Sequence, residues 1–219
     1  MTLGLYFAPL ACSLATRISL YEVGAPAAGA RFTHVDTRAK RLADGSDFYA
    51  VNPLGQVPVL RTDEGELLTE NSAVLQYVAD RFPEARLVPD GALPRARVRE
   101  WLGFIGTELH KAIFLPLLDP NAPDAVKAYA REKIELRFGL LEKRLAGREY
   151  LLAAFSIADA YLVTVLNWTM ATGVNLASWP TLQQYHQRLL KRPSIACAFG
   201  EEFEMYRASL AAAAPAQAR

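Results

Sequence analysis

The chain has 219 residues, of which 52% are hydrophobic and 21% are charged, and its formal net charge is +1. This composition excludes disordered and fibrous proteins, and the balanced charge gives no strong field for binding nucleic acid or an anionic membrane. No stretch approaches the ~18 consecutive apolar residues of a membrane span. Met1–Phe7 lacks the basic start and cleavage site of a secretory leader. The two cysteines allow one disulfide at most, so we expect the protein to be located in the reducing cytoplasm.

Residues 1–82 are predicted to form an α/β domain, because short apolar runs alternate with helical patterns and Gly/Pro turns. A helix is predicted from Cys12 to Gly24, and a second one carries Leu75, Val78, Ala79 and Phe82 on one face. Residues 40–50 are predicted to be a short helix or an irregular turn. The predicted strands are Leu3–Phe7, Arg31–Val35, Val57–Arg61 and Leu67–Leu68.

Residues 83–93 are rich in proline and are predicted to link this domain to an all-helical domain over 94–219. Ser156 and Asp159 fit a capping box at the start of a central buried helix, which we interpret as structural. On that basis Asp159→Ala should cost about 0.5–2 kcal/mol. The Ala-rich tail after residue 209 is expected to be frayed. The predicted helices include Val98–Ile113, Ile134–Leu145, Ile157–Trp168, Trp179–Leu190 and Ser194–Ser209.

Cys12 lies where the first strand is followed by the first helix. The free N–H groups and dipole of a helix start favour a thiolate, so the pKa of this thiol is expected to be lowered. The alternative is a small buried apolar side chain. Position 15 is Ala15 rather than a second cysteine, so a dithiol cycle within the chain is not expected. A reactive Cys12 would need a thiol partner from a ligand.

Two further motifs indicate a peptide ligand. In Gln56-Val57-Pro58-Val59 a cis bond before Pro58 would turn the Val57 backbone outward, toward a ligand lying alongside as an extra strand. An ordinary trans proline at a strand start is the alternative. Further on, cap-type residues follow Leu68, and a helix start there would bind a carboxylate while Glu70 pairs with an ammonium. That combination describes the head of an amino acid, although plain N-capping also explains Asn71 and Ser72.

Taken together, these motifs resemble the glutathione transferases, and in particular the bacterial beta class, over nearly the whole chain except the tail. The resemblance implies a thioredoxin-like N-terminal domain and an all-helical C-terminal domain. It is carried by residues 6–14, 52–60 and 68–71, and beyond the linker by residues 101–102, 107–111 and 155–162.

The resemblance implies a glutathione site, with glutathione as co-substrate and no metal. Cys12 would lie next to the glutathione sulfur, and Val57 would pair with its cysteinyl backbone ahead of cis Pro58. Glu70 and Asn71 would hold the γ-glutamyl group, and Lys40 would reach the glycyl carboxylate. The remaining binding residues expected from the matched motifs are Gln56, Gly103, Thr107 and His110.

The long helix after the linker independently predicts a cleft. An α-helix turns about 100° per residue, so its side chains fall into stripes along the helix. One stripe here is fully apolar, and a second mixes small, polar and aromatic residues, as expected of a pocket wall. The resemblance puts His110, from the second stripe, near the sulfur, although a surface histidine is the alternative. None of the three histidines has metal-ligand spacing with a cysteine. The first stripe comprises Val98, Leu102, Ile105, Leu109 and Ile113, and the second Gly103, Thr107, His110 and Phe114.

Several positions depart from the family pattern. Gly103 stands where close relatives carry an asparagine that contacts glutathione in the neighbouring subunit. Phe7 replaces a tyrosine, Leu10 replaces a glycine, and Ala153-Ala154 stand where a glycine is usual. These differences affect the expected substrate range more than the expected fold.

The leading functional hypothesis is a transferase that favours the glutathione thiolate and presents it to an apolar electrophile. Cys12 and Ser13 are rival donors to the sulfur, with His110 nearby and Tyr6 a weaker candidate. A second hypothesis uses Cys12 as the nucleophile of glutathione-dependent thiol exchange. A third is a non-catalytic carrier of apolar ligands. The resemblance also implies a two-fold homodimer. From the balanced charge we expect no nucleic-acid or membrane partner.

Overall fold

A five-stranded sheet forms the first part of the molecule, in a computed structural model that describes residues 2–213. Its strands are β1 (Gly4–Phe7), β2 (Arg31–Asp36), β3 (Arg41–Leu42), β4 (Val59–Arg61) and β5 (Leu67–Leu68). The strand order is β3-β2-β1-β4-β5, with β1 parallel to β2 and the other pairs antiparallel. The sheet therefore has β1 at its centre, and the loop after β1 leaves from the middle of the domain.

Two helices, α1 (Ser13–Glu22) and α2 (Asn71–Arg81), accompany this sheet. Side-chain alternation along β1 explains how the sheet is packed. Leu5 and Phe7 point to the face covered by the helices, where they meet Val74 and Val78. Tyr6 points to the other face, next to Phe48.

From Ala92 to Ala213 the chain is mainly helical, so the predicted fold class of an α/β domain followed by an all-helical domain is confirmed. None of the helices within residues 2–213 combines the length and apolar character needed to cross a membrane. The helices are α3 (Ala92–Phe104), a π-helical segment (Ile105–Phe114), α4 (Leu115–Leu118), α5 (Asp124–Glu132), α6 (Ile134–Leu145), α7 (Ile157–Asn167), α8 (Thr169–Thr172), α9 (Pro180–Leu189) and α10 (Pro193–Ala213).

Several boundaries differ from those that the sequence pattern predicts. Helix α3 begins at Ala92, inside the predicted linker 83–93. The third predicted strand is shorter, because pairing begins only at Val59, after the cis peptide bond. Residues 40–50 contain the two-residue strand β3 and a single 3₁₀ turn at Phe48–Ala50. The last helix continues to Ala213, and the rest of the predicted frayed tail, residues 214–219, lies outside the described residues.

Helix α5 has no counterpart in the sequence prediction. Its apolar residues Val126 and Tyr129 are exposed, and Ala130 is its one buried residue. Val126, Tyr129 and Ala130 have the i, i+3, i+4 spacing of one helical face, so periodicity could have predicted this helix.

The long helix that begins at Ala92 changes to π-helical geometry between Ile105 and Phe114. Its predicted core stripe, from Val98 to Ile113, is buried as expected. Phe114 differs from the prediction, because it is fully buried against Phe138 and Trp168 instead of lining the cleft. The wider turn of a π-helix shifts the phase of the residues that follow, which a period of 3.6 does not capture.

The predicted capping box at the start of α7 is present, and Asp159 does more than cap. Its carboxylate accepts hydrogen bonds from the Ser156 backbone N–H at 3.0 Å and hydroxyl at 2.9 Å. It also accepts from the Leu151 N–H at 2.9 Å and the Tyr185 hydroxyl at 2.7 Å. Asp159 is completely buried, so three segments of the helical domain converge on one carboxylate.

We expect Asp159→Ala to lower the free energy of unfolding by at least about 3 kcal/mol, because several buried donors would lose their acceptor. This exceeds the cost of a lost cap alone. Urea unfolding followed by circular dichroism would measure it. The matched control is Asp124→Ala in the first turn of α5, which should change stability by about 0.5 kcal/mol or less. A loss below about 1 kcal/mol for Asp159→Ala would contradict this network.

Candidate active site

A cavity of about 410 Å³ lies between the sheet domain and the long helix, and we call it the polar cavity. It brings together, from five separate stretches of sequence, every residue predicted to bind glutathione. Those residues are Cys12, Lys40, Gln56, Val57, Pro58, Glu70, Asn71, Gly103, Thr107 and His110. Within residues 2–213, no group of three or more His, Cys, Asp or Glu side chains is arranged to hold a metal ion.

The Val57–Pro58 peptide bond is cis, and it exposes a short backbone edge along one wall of this cavity. The Val57 carbonyl accepts a hydrogen bond from the Cys12 thiol at 3.2 Å, while the Val57 N–H has no partner among the described residues. Asn52 fixes the preceding loop, since its amide donates to the Gln56 carbonyl at 2.7 Å and accepts from the Leu54 N–H at 3.1 Å. An extended peptide can therefore pair with this edge.

Gly55 sets the position of the Lys40 ammonium, which lines the same cavity. Its φ of +60° suits glycine, and an added Cβ would lie 2.8 Å from the Tyr49 ring. The Lys40 ammonium donates to the Gly55 carbonyl at 2.8 Å and remains part of the cavity lining. The close approach of loop and lysine places a positive charge where an anionic ligand group can reach it.

The start of helix α2 forms another part of the cavity lining. Glu70 precedes the helix with a φ of +64°, and its carboxylate makes no hydrogen bond or ion pair with the described residues. Asn71 is buried and accepts at 3.2 Å from the Thr16 hydroxyl, while its amide nitrogen is left without a partner in the part of the chain described. A free carboxylate beside free helix N–H groups can bind an ammonium and a carboxylate together.

A second, more apolar cavity of about 490 Å³ adjoins the first, and we call it the apolar cavity. Cys12, His110 and Leu115 line both cavities. Trp168 forms part of the apolar wall, and its indole N–H donates to the Leu10 carbonyl at 2.8 Å. The arrangement places a site for a polar, charged ligand directly beside one for an apolar ligand.

Comparison with known proteins identifies this arrangement. Residues 1–80 match the family described as "Glutathione S-transferase, N-terminal domain", and residues 107–193 match its C-terminal domain. Glutathione S-transferase GstA of Escherichia coli O157:H7 is 41% identical over 202 residues, covering 90% of this chain and 98% of that protein. The chain belongs to the glutathione S-transferase family.

Solved transferase structures agree with this assignment. A sphingomonad glutathione S-transferase complexed with glutathione superposes with a TM-score of 0.85 at 42% identity, covering 91% of this chain and 98% of that one. The bacterial beta class enzyme of Sphingomonas chungbukensis gives 0.85 at 41% identity, with the same shares of both chains. The predicted resemblance to beta-class transferases is thereby confirmed.

In this transferase the expected lowering of the Cys12 pKa is wrong. Burial raises the pKa of the Cys12 thiol to about 11, although Lys111 and the backbone N–H groups at the start of α1 act in the opposite direction. The loss of hydration outweighs the positive end of the helix. Cys12 is therefore an S–H group at neutral pH and a hydrogen-bond donor.

Neither alternative donor to the sulfur reaches the polar cavity. Ser13 is completely buried, and its hydroxyl exchanges hydrogen bonds with the Ala8 carbonyl at 3.3 Å and N–H at 3.2 Å. The Tyr6 hydroxyl lies on the other face of the sheet and accepts from Arg61 at 3.1 Å. Ser13 thus holds the loop after β1 in place, and Cys12 is the donor that lines the cavity.

Sequence reasoning missed three residues that shape the transferase site: Asn52, Lys111 and Tyr161. Asn52 resembles any loop asparagine until its two hydrogen bonds across the 52–56 loop are known. Lys111 follows His110 and lines the polar cavity, so its place beside a candidate site residue was a usable signal. Tyr161 lies within the apolar helix α7, where a core role is the natural expectation.

Two departures from the family pattern have visible consequences. An added Cβ at Gly103 would meet nothing within 4 Å, so this position opens the polar cavity. Leu10 adopts a φ of +59°, where a glycine would be unstrained. Its backbone is held from both sides, since Glu202 accepts from its N–H at 2.7 Å and Trp168 donates to its carbonyl.

We expect the Cys12 thiol to titrate near pH 11 in the free protein, because burial disfavours the thiolate. Alkylation by iodoacetamide between pH 7 and 12 would measure this in a Cys197→Ser background, which removes the exposed second thiol. At pH 8 the rate should be roughly 100-fold below that of an unperturbed cysteine peptide. A midpoint below pH 9 would mean that the helix terminus and Lys111 prevail over burial.

Proposed function

We propose that this protein conjugates the thiolate of reduced glutathione to small apolar electrophiles. The observation that carries the proposal is the junction of two unlike cavities at Cys12 and His110. A nucleophile bound in the polar cavity and an electrophile bound in the apolar cavity would meet at this junction. Such proximity is the main requirement of a two-substrate transfer.

The groups lining the polar cavity match the chemistry of glutathione from end to end. The Glu70 carboxylate would pair with the γ-glutamyl ammonium, and the N–H groups at the start of α2 with its carboxylate. The open Val57 edge would pair with the cysteinyl backbone. Lys40 would bind the glycyl carboxylate, so all three charged groups of the tripeptide find an opposite charge or a donor.

Cys12 would then turn its S–H from the Val57 carbonyl to the glutathione sulfur, which would also free that carbonyl for the ligand backbone. Its raised pKa keeps the proton on Cys12, and Lys111 adds positive potential at the same wall. Both effects favour the thiolate of the ligand over the thiolate of the protein. The same pKa argues against thiol exchange with Cys12 as nucleophile, because exchange requires its thiolate.

Detoxification of apolar electrophiles in the reducing cytoplasm is the cellular role consistent with this chemistry. Cys12 and Cys197 are both free thiols, as expected in a compartment where glutathione is plentiful and reduced. The proposed reaction needs the co-substrate and no metal, since the sulfur is activated by donors and positive potential alone.

We expect Glu70→Gln to raise the dissociation constant for glutathione about 10–100-fold, because the ammonium would lose its charged partner. Titration calorimetry would measure binding, and mass spectrometry would identify the product formed with a chloronitrobenzene. The matched control is Glu66→Gln, an exposed glutamate of the same domain outside the polar cavity, which should bind normally.

Three results would contradict the proposal. The first is an unmodified protein that gives no heat with millimolar glutathione. The second is equal affinity in both glutamine variants. The third is a mixed disulfide on Cys12 as the sole product, which would instead establish thiol exchange.

We further propose a two-fold homodimer, formed through helices α3, α5 and α6. These helices carry exposed apolar side chains, including Leu93, Tyr129 and Leu136, of which Leu136 is 75% exposed. Exposed apolar side chains grouped on neighbouring helices are typical of surfaces that another chain covers. A dimer through these helices would place its interface beside Gly103 and the polar cavity.

Light scattering at micromolar concentration should give twice the chain mass of 24.1 kDa. Leu136→Glu should shift the protein toward the monomer, because a charge would be buried at the interface. The control is Leu210→Glu on α10, another exposed leucine, which should leave the mass unchanged. A monomeric unmodified protein would contradict this assembly.

A further inference from the structure

The buried Tyr161 and the half-buried His110 form a hydrogen-bonded pair that the proposed reaction leaves without a role. The Tyr161 hydroxyl oxygen lies 2.7 Å from His110 Nδ1, and the two rings meet edge to face at 6.1 Å between centroids. Tyr161 is 2% exposed and comes from α7, whereas His110 comes from the π-helical segment. A rigid helix thus contacts the one histidine that lines both cavities.

The direction of this hydrogen bond follows from the chemistry of the two groups. Burial lowers the pKa of His110 to about 4, so the ring is neutral and carries one proton on one of its two nitrogens. Burial raises the pKa of the Tyr161 hydroxyl, which therefore keeps its proton. A phenol is a better donor than a neutral imidazole N–H, and an unprotonated imidazole nitrogen is a better acceptor than a phenol oxygen. Tyr161 therefore donates to Nδ1, and the ring proton is on Nε2.

The protonated nitrogen is on the side of the ring away from Tyr161. Nε2 makes no hydrogen bond with any residue in the described part of the chain, and the ring forms part of the wall shared by the two cavities. Trp168 packs edge to face against His110 with 4.8 Å between ring centroids, and Trp168 is itself fixed by its bond to Leu10. The imidazole is thus held at two points, with one donor unused.

We propose that Tyr161 is a positioning residue that holds His110 as the Nε2–H tautomer, and that this N–H stabilises an oxyanion that forms on the electrophile. This role rests on the proposed conjugation and adds a preference among electrophiles. It favours α,β-unsaturated carbonyl compounds over substrates whose reaction produces no anionic oxygen.

The step in question is the addition of the glutathione thiolate to the β-carbon. The sulfur electron pair forms the new C–S bond, and the C=C π pair shifts so that the carbonyl oxygen becomes an enolate. His110 Nε2–H donates to that oxygen while the charge develops. Water then protonates the α-carbon to complete the thioether, and the remaining hydroxide takes up the proton that glutathione released to solvent on ionising. With an alkyl iodide, by contrast, the C–I pair leaves as iodide, a weak acceptor, and no oxyanion forms.

We expect Tyr161→Phe to lower kcat for an enone about 10-fold, because the ring would lose its fixed tautomer. The KM for glutathione and the turnover of an alkyl iodide should change less than about twofold. Steady-state kinetics with both electrophiles would measure the ratio of kcat for the enone to kcat for the alkyl iodide. Tyr185→Phe is the matched control, since it removes another buried tyrosine hydroxyl with a 2.7 Å hydrogen bond, in this case to Asp159. That variant should lose stability and keep the unmodified ratio.

A double-mutant cycle tests whether Tyr161 acts through His110. In a His110→Phe background, Tyr161→Phe should have no further effect on the enone reaction. Equal losses for both electrophiles, or independent effects of the two substitutions, would overturn the proposal. If the unmodified protein conjugates neither electrophile, the proposed function itself fails, which is a distinct outcome.

Nitrogen-15 NMR of the unmodified protein gives a measurement that does not depend on a folded Tyr161 variant. The His110 ring should show a protonated Nε2 and an unprotonated Nδ1 at pH 7, with the signal assigned by its loss in His110→Phe. A ring protonated on Nδ1 would overturn the proposal even if Tyr161→Phe failed to fold.

Discussion

The burial of helix α1 between the sheet and the helical domain is the constraint on which the site depends. Leu14, Ala15 and Ile18 belong to the same apolar core as helix α7. Every residue of α1 from Ser13 to Leu20 is buried, so the helix cannot shift without opening that core. Because Cys12 immediately precedes α1, this packing fixes the thiol against the residues contributed by the second half of the chain.

The loop before α1 is anchored by the same interface. Arg17 on α1 pairs with Glu201 and lies near Glu202 on α10, and Glu202 in turn accepts from the Leu10 N–H. Burial raises the pKa of the Glu202 carboxyl to about 7, so this acid is poorly solvated and depends on its partners. These contacts hold Leu10 in a backbone conformation that a leucine would otherwise avoid. The active-site loop is therefore shaped by the helical domain as much as by its own sequence.

Desolvation sets the chemistry at the junction of the cavities. It keeps Cys12 as a thiol and His110 as a neutral imidazole, although a helix start and a nearby lysine would each suggest charged or reactive groups. Neutral donors in a partly dry site stabilise a negative charge on the ligand and do not themselves become charged. The formal charges, on Glu70, Lys40 and Lys111, line the polar cavity, where a charged tripeptide would be bound.

The sequence by itself determined the fold class, the family and many of the residues around the polar cavity, although it missed Asn52, Lys111 and Tyr161. Those features depend on local motifs, such as the run from Asn52 to Leu60, and on core periodicity, which a single chain displays directly. Tertiary structure alone decided the protonation of Cys12, the burial of Ser13 and the pairing of Tyr161 with His110. Each of these depends on how much water remains around a group and on which distant side chain faces it. Residues 51 positions apart, such as His110 and Tyr161, meet only when the helices pack.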